Sequence, residues 1–180
     1  MISLPAEHNL PGDDHVVLTF FHASDAAALR ELDADPEHRL RFEFPEDFLP
    51  SLEHSERVIA DWTRARDRGG PFVFAVRAVV ADGELLGGCE IRLMEKHVAN
   101  LSYFTLARHR SRGVASRAVA LACQIAKTSL SVKRLEIVVE PDNVASRRVA
   151  MRNGFRETGM RNNRILYLKD ISDRQKEMPR

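Results

Sequence analysis

What most constrains this chain is a change of pattern at residues 101–127. An apolar, strand-like run, Leu101 to Leu106, leads into a polar loop that carries Arg108, Arg110 and Arg112 and ends at Gly113. The segment that follows, Val114 to Lys127, is alanine-rich and sets Ala118, Leu121, Ala122 and Ile125 on one helical face. A strand, a basic loop, a glycine and a helix start present backbone N–H groups to an anion. The first turn of a helix has donors without partners and a partial positive charge. Gly113 and Ala115 are small, which lets a ligand approach the backbone. No Gly-Lys-Ser/Thr follows, so this is not a Walker loop, and the glycine does not follow the first strand of a parallel unit as a dinucleotide fingerprint requires. On spacing alone, Gly113 reads equally well as a turn residue.

The surrounding pattern places this loop in a mixed sheet. His15 to Phe21 reads as a first strand. Ser24 and Asp25 offer N-caps to a helix with Ala28, Leu29 and Leu32 on one side, and Asp35-Pro36 stops or restarts it. Leu40 to Leu49 mixes aromatics, acids and prolines and reads as a loop or short helix. Ser51 caps a second helix with Val58, Ile59 and Trp62 in its stripe, ended by Gly69-Gly70. Phe72 to Val76, Leu85 to Met94 and Ala99 to Leu106 are joined by the Asp82-Gly83 and Glu95-Lys96-His97 turns, so they are expected as an antiparallel meander. The helix after Gly113 is long enough to make the flanking strands, Leu101–Leu106 and Leu135–Val139, parallel. Asn143 caps a last helix that ends at Gly154, and two short strands follow, around Phe155–Met160 and Ile165–Leu168. The expected organisation is a loose lead-in over 1–14, one α/β domain over 15–171 and a polar tail over 172–180.

Composition removes several function classes. With 180 residues and a net charge of +1, the chain has a sizeable core and no global field toward nucleic acid or membrane. Neither is expected as a partner. No apolar run is long enough to span a bilayer, and Met1 to Gly12 lack the basic start and apolar stretch of a signal peptide; the expectation is a cytoplasmic protein. Cys89 and Cys123 lie in apolar segments without metal-type spacing, so they read as reduced core thiols, and no metal is expected.

Two motifs together resemble one family, the GNAT (GCN5-related) N-acetyltransferases. Their acyl-CoA loop reads Gln/Arg-x-x-Gly-x-Gly/Ala, and Arg110, Gly113 and Ala115 stand at those positions. Downstream, Pro141-Asp142-Asn143-Val144-Ala145-Ser146, then Val149, Arg152 and Asn153-Gly154-Phe155, is similar to the family's second segment in its RimJ/RimL-like form. The resemblance extends over roughly His15 to Leu168. It implies a central, mostly antiparallel sheet of about seven strands, helices on both faces, and a fourth and fifth strand that splay apart. It further implies acetyl-CoA as co-substrate. The pyrophosphate would rest on the backbone from Arg110 through Ser111, Arg112, Gly113, Val114 and Ala115, with Ser116 at the helix start. Arg108, Arg110 and Arg112 would neutralise it or reach the 3′-phosphate. The pantetheine arm would lie in the splay beside the strand ending at Leu106, with Asn143 near it.

The resemblance also implies the chemistry. Acetyl transfer needs a neutral amine, a donor for the oxyanion and a hydrogen bond or proton for the leaving thiolate. Ser146 stands where the RimJ/RimL-like branch has a serine near the CoA sulfur, and it takes the thiolate role; the plain alternative is a surface serine on a first helical turn. The tyrosine that many relatives carry one turn later is Ala150 here. Glu90, alone in an apolar strand, is the candidate base, or else an ion-pair partner of Arg92 or Arg77. Asn100 stands where relatives often have glutamate. A weak base favours an α-amine, whose pKa lies near 8 against about 10.4 for lysine.

Direct transfer to a primary amine, first a protein N-terminus and then a small molecule such as a polyamine, an amino-acid derivative or an aminoglycoside, is therefore the expected activity. A non-catalytic acyl-CoA-sensing module is the rival. Either a monomer or a homodimer is compatible with the sequence.

Overall fold

The computed structural model describes residues 4–80, 83–95 and 97–172. Asp82, Lys96, the first three residues of the lead-in and all of the expected tail but Ser172 lie outside the described residues.

The segments with β-branched and aromatic runs become seven strands of one sheet: β1 (Val16–Thr19), β2 (Phe72–Ala78), β3 (Leu85–Leu93), β4 (Val98–Thr105), β5 (Arg134–Val139), β6 (Arg156–Arg161) and β7 (Arg164–Asp170). Their order across the sheet is β1-β2-β3-β4-β5-β7-β6. Every neighbouring pair is antiparallel except β4 and β5. The helices are α1 (Ala26–Ala34), α2 (Pro36–Arg41), α3 (Leu52–Asp67), α4 (Val114–Thr128) and α5 (Val144–Arg152). The expected mixed sheet with helices on both faces is the observed one.

Two apolar clusters explain the layering. On one face Leu18, Phe74, Ile91 and Leu101 meet Ala118, Val119, Ala122 and Ile125 of α4 and Ala150 of α5. On the other, Val73, Ala75, Leu85 and Leu106 meet Leu29 and Leu32 of α1 and Ile59 of α3. The first five residues of β2 are buried, because helices cover both faces of that strand. Each fully buried side chain such as Phe74 or Leu18 contributes roughly 1.5–3 kcal/mol. β6 lies at the edge and is exposed along its length; its arginines and Glu157 discourage pairing with another strand.

Helix ends follow the sequence with one correction. Ser51 Oγ accepts from His54 N at 3.1 Å, and Asp35 accepts from His38 N at 2.8 Å, so Asp35-Pro36 restarts the chain as α2. Asp25, expected as a cap for α1, makes no such bond with the helix. Its carboxylate turns back to His22 N at 2.8 Å and to Arg77 Nη2 at 2.6 Å, an ion pair buried beside β2. That pairing also settles Arg77, which does not reach Glu90.

Candidate active site

The β4–β5 ladder consists of the pairs Val98–Arg134, Ala99–Leu135 and Asn100–Glu136. β4 continues to Thr105 and β5 to Val139, so residues 101–105 and 137–139 line a gap at the carboxyl ends of two parallel strands. A cavity of about 940 Å³ opens there. Its walls are the two strands, the first turns of α4 and α5, α2 with the turn after it, and the β6–β7 hairpin. A crevice beyond the carboxyl ends of parallel strands is a general place for ligands in α/β sheets.

The α4 wall presents backbone donors without side-chain partners. Gly113 has φ +80° and Ser111 φ +62°, and no side chain caps the helix. The N–H groups at Val114, Ala115 and Ser116 belong to a first turn that intrahelical bonding leaves over. Left-handed residues before a helix start turn successive N–H groups into a concave nest. A Cβ placed on Gly113 meets nothing within 4 Å, so the loop's outer side is open. Ser116 Oγ accepts from Asn153 Nδ2 at 3.1 Å, which locks the start of α4 to the end of α5.

The arginines divide into two groups. Arg108 grips Glu31 with two bonds of 2.9 Å and lies off the cavity wall. Arg110 is on the wall, but it binds Asp35 at 2.6 Å and Glu37 at 2.9 Å. Burial pushes the Asp35 carboxyl up; the Arg110 guanidinium and the His38 N–H outweigh it and hold the group below its ordinary value. Arg112 is exposed and off the wall. By contrast, Arg148 and Arg152 of α5 line the cavity, are exposed, and make no ion pair among the described residues. They lie four residues apart, so they share a helix face. That spacing was readable in the sequence and is the signal that the reading of the basic loop passed over.

Ser146 lies on the wall between strands and α5. Its N–H donates to Asn143 Oδ1 at 3.0 Å, so Asn143 is the cap of α5 and also a wall residue. Its carbonyl accepts from the Tyr103 hydroxyl at 3.1 Å. Burial pushes the Tyr103 phenol up to about 12, which keeps it a donor. Leu106 is 1 % exposed and sits in the core under α1 and α3. Glu90 is off the wall and holds Arg92 at 2.8 Å. The Cys89 thiol is fully buried and pushed up to about 12, and burial raises Cys123 as well, which leaves no reactive thiolate between them.

Ion pairs join α2, the turn before α5, β5 and the β6–β7 hairpin around the cavity. Arg41 of α2 reaches Asp142 at 2.9 Å. Arg164 of the hairpin reaches Glu43 and Glu140, the latter at 3.0 Å. Arg161 holds Glu136 at 2.6 Å. His38, 8 % exposed, also lines the cavity, and its ring packs 4.4 Å from Phe42 and 5.7 Å from Phe104 between centroids. Among the described residues no cluster of His, Cys, Asp and Glu has the grouping of a metal site, and no helix is long and apolar enough to cross a membrane.

The family model of the acetyltransferase (GNAT) domain matches residues 15–156. None of the curated proteins matches the chain in sequence. Solved structures are similar in fold. A RimL ribosomal L7/L12 α-N-protein acetyltransferase in complex with coenzyme A superposes with a TM-score of 0.76 at 19% identity, covering 90% of this chain and 97% of that one. RimJ of Mycobacterium smegmatis in complex with a CoA disulfide gives 0.74 at 21% identity, over 87% and 82% of the two chains. The microcin C7 self-immunity acetyltransferase MccE, in complex with acetyl-CoA and AMP, gives 0.71 at 18%, over 88% and 94%.

Proposed function

The chain belongs to the GNAT acetyltransferase family, and from that premise we propose that it is a RimJ/RimL-like enzyme that moves an acetyl group from acetyl-CoA directly to a primary amine, first of all a protein N-terminal α-amine. The observation that carries this reading is the parting of β4 from β5 beside the uncapped start of α4.

The residues present fit the co-substrate. The open nest at Ser111–Gly113 and the first-turn N–H groups of Val114, Ala115 and Ser116 suit a pyrophosphate. Among the arginines described on the cavity wall, Arg148 and Arg152 have charge to spare for phosphate, whereas Arg108 and Arg110 are already neutralised by acids of α1 and α2. Residues 101–105 and 137–139, unpaired with each other, suit an amide-bearing arm. Bound there, acetyl-CoA supplies a thioester as activated acyl donor.

Ser146 stands where α5, β4 and the cleft meet, held from both sides by Asn143 and Tyr103. Its hydroxyl is given the part of hydrogen-bonding the leaving sulfur. Glu90 shares its charge with Arg92 away from the cleft wall, and we give it no direct contact with the acceptor. An α-amine, with a pKa near 8, offers far more neutral nucleophile at pH 7 than a lysine near 10.4. The RimL ribosomal L7/L12 α-N-protein acetyltransferase is similar in fold.

A second reading, a small-molecule amine, is favoured by the mouth itself. The Arg41–Asp142 and Arg164–Glu43 pairs strap the α2 segment to the far wall and narrow the entrance. Release of CoA thiol from acetyl-CoA, measured against N-terminal peptides and a panel of small amines, tests the proposal and separates the two acceptors. No release with any amine would overturn it.

A further inference from the structure

Alternate residues of β4 point to opposite faces of the sheet. Tyr103 packs with the α4 and α5 cluster and touches Ser146. Phe104 packs with the α1 and α3 cluster and touches His38. The cleft between β4 and β5 therefore has Ser146 at one mouth and His38 at the other. Building on the transferase reading, we propose that His38 is the proton acceptor for the incoming amine and that Asp33 positions its ring and takes the proton on.

The surroundings of His38 support that part. The ring stands among Phe42, Phe44 and Phe104, with centroids 4.4, 5.5 and 5.7 Å away, so its faces are apolar and its edge carries the chemistry. Nε2 is the nitrogen turned toward Asp33, 3.8 Å from Oδ1. That leaves Nδ1 as the acceptor of the neutral ring. Asp33 lies behind it on α1 and is 4 % exposed. A separation of 3.8 Å is long for a hydrogen bond, and a shift of roughly 1 Å closes it.

The charged groups around the pair are Asp35 at the cap of α2, Glu37 on α2, Arg110 in the loop before α4, and His54 on α3, which acts on Asp33. Burial, helped by Arg110 and opposed by Asp35, pulls His38 down to about 4, so the ring is proton-free at neutral pH. Burial pushes Asp33 up to about 6, opposed by His54. A proton received by the ring is therefore better held by the carboxylate.

In the step itself the amine nitrogen forms the bond to the acyl carbon and gives its proton to Nδ1. The carbon–sulfur bond breaks, and its electron pair leaves on sulfur, which Ser146 hydrogen-bonds and solvent protonates. The Nε2 proton passes to Asp33. The imidazole is then neutral as the Nδ1–H tautomer; Asp33 returns its proton to Nε2 as Nδ1 releases the amine's proton to solvent through the cleft, which restores both groups.

The test compares the wild type with His38→Gln and Asp33→Asn. His38→Gln should lower kcat by about tenfold or more, with KM for acetyl-CoA and the calorimetric Kd for CoA unchanged. Asp33→Asn should remove the acid limb of kcat/KM near pH 6 and shift the ring-proton titration of His38 by NMR, which reads the pair without turnover. A His38→Gln enzyme within about twofold of wild type, with the acid limb intact, overturns this inference alone. If His38→Gln does not fold, an unaltered pH profile in Asp33→Asn overturns it instead. A wild type that binds acetyl-CoA and acetylates no amine overturns the transferase reading and this inference with it.

Discussion

The hydroxyl of Tyr103 donates to the carbonyl of Ser146 at 3.1 Å, across the gap where β4 and β5 have parted. One bond thus joins the splayed strand to the first turn of α5, where Asn143 holds the same residue by its N–H. Tyr103→Phe keeps the ring and removes the bond. It should cost about 1 kcal/mol in chemical denaturation and raise KM for acetyl-CoA more than KM for the amine.

Gly113 takes φ +80° with nothing near its missing Cβ. Gly113→Ala therefore strains the backbone without a clash in the folded protein. A loss of about 1 kcal/mol in stability is expected, together with weaker CoA binding by calorimetry if, as proposed, the pyrophosphate rests on this nest. Unchanged CoA affinity would place the pyrophosphate elsewhere.

The two arginine groups should behave differently. Removing Arg148 and Arg152 together should raise the Kd for CoA by roughly tenfold at low salt, with a smaller effect at high salt. Removing Arg108, whose charge is spent on Glu31, should leave that Kd within about twofold.

Asp33 and His38 pull the pH dependence of stability in opposite directions. The native Asp33 carboxyl, raised from 3.8 to about 6, holds a proton that the unfolded chain has lost, so its contribution falls as pH rises between about 4 and 6. The native His38, lowered from 6.5 to about 4, lacks a proton that the unfolded chain holds, so its contribution rises with pH between about 4 and 6.5. In the wild type the two largely offset. Asp33→Asn should leave stability climbing more steeply through that window, and His38→Gln should leave it falling. Urea melts at half-unit pH steps would reveal the opposite slopes.

The β2–β3–β4 meander, the parallel crossover to β5 and the α4 loop were legible because they depend on local signals: apolar runs, short turns, and a glycine before a helix; the placing of β7 between β5 and β6 was not. Ser51, Asp35 and Asn143 cap helices because a small polar side chain before an apolar stripe has little else to do. Asn162-Asn163, the two-residue turn between β6 and β7, has φ +50° and +62°, as a tight hairpin needs. What escaped were the charge partners. Arg108 meets Glu31 and Arg41 meets Asp142 over separations of 77 and 101 residues, which no local pattern encodes. The loop's arginines therefore read as phosphate ligands until the fold brought α1 and α2 against them. His38 escaped for the same reason: its meaning comes from Asp33 behind it and Phe104 across from it.

On the proposed function, the acetyl group moves in the cleft between β4 and β5. The most direct measurement is thiol release from acetyl-CoA by the full chain and by Ser146→Ala, with an N-terminal peptide and a small-amine panel, the products identified by mass spectrometry. The predicted result is an N-acetylated product from at least one α-amine or small amine, with kcat lowered at least about tenfold in Ser146→Ala at unchanged CoA affinity. Acetyl-CoA bound tightly by both proteins, with no acetylated product from any amine, would contradict it and leave an acyl-CoA-sensing domain.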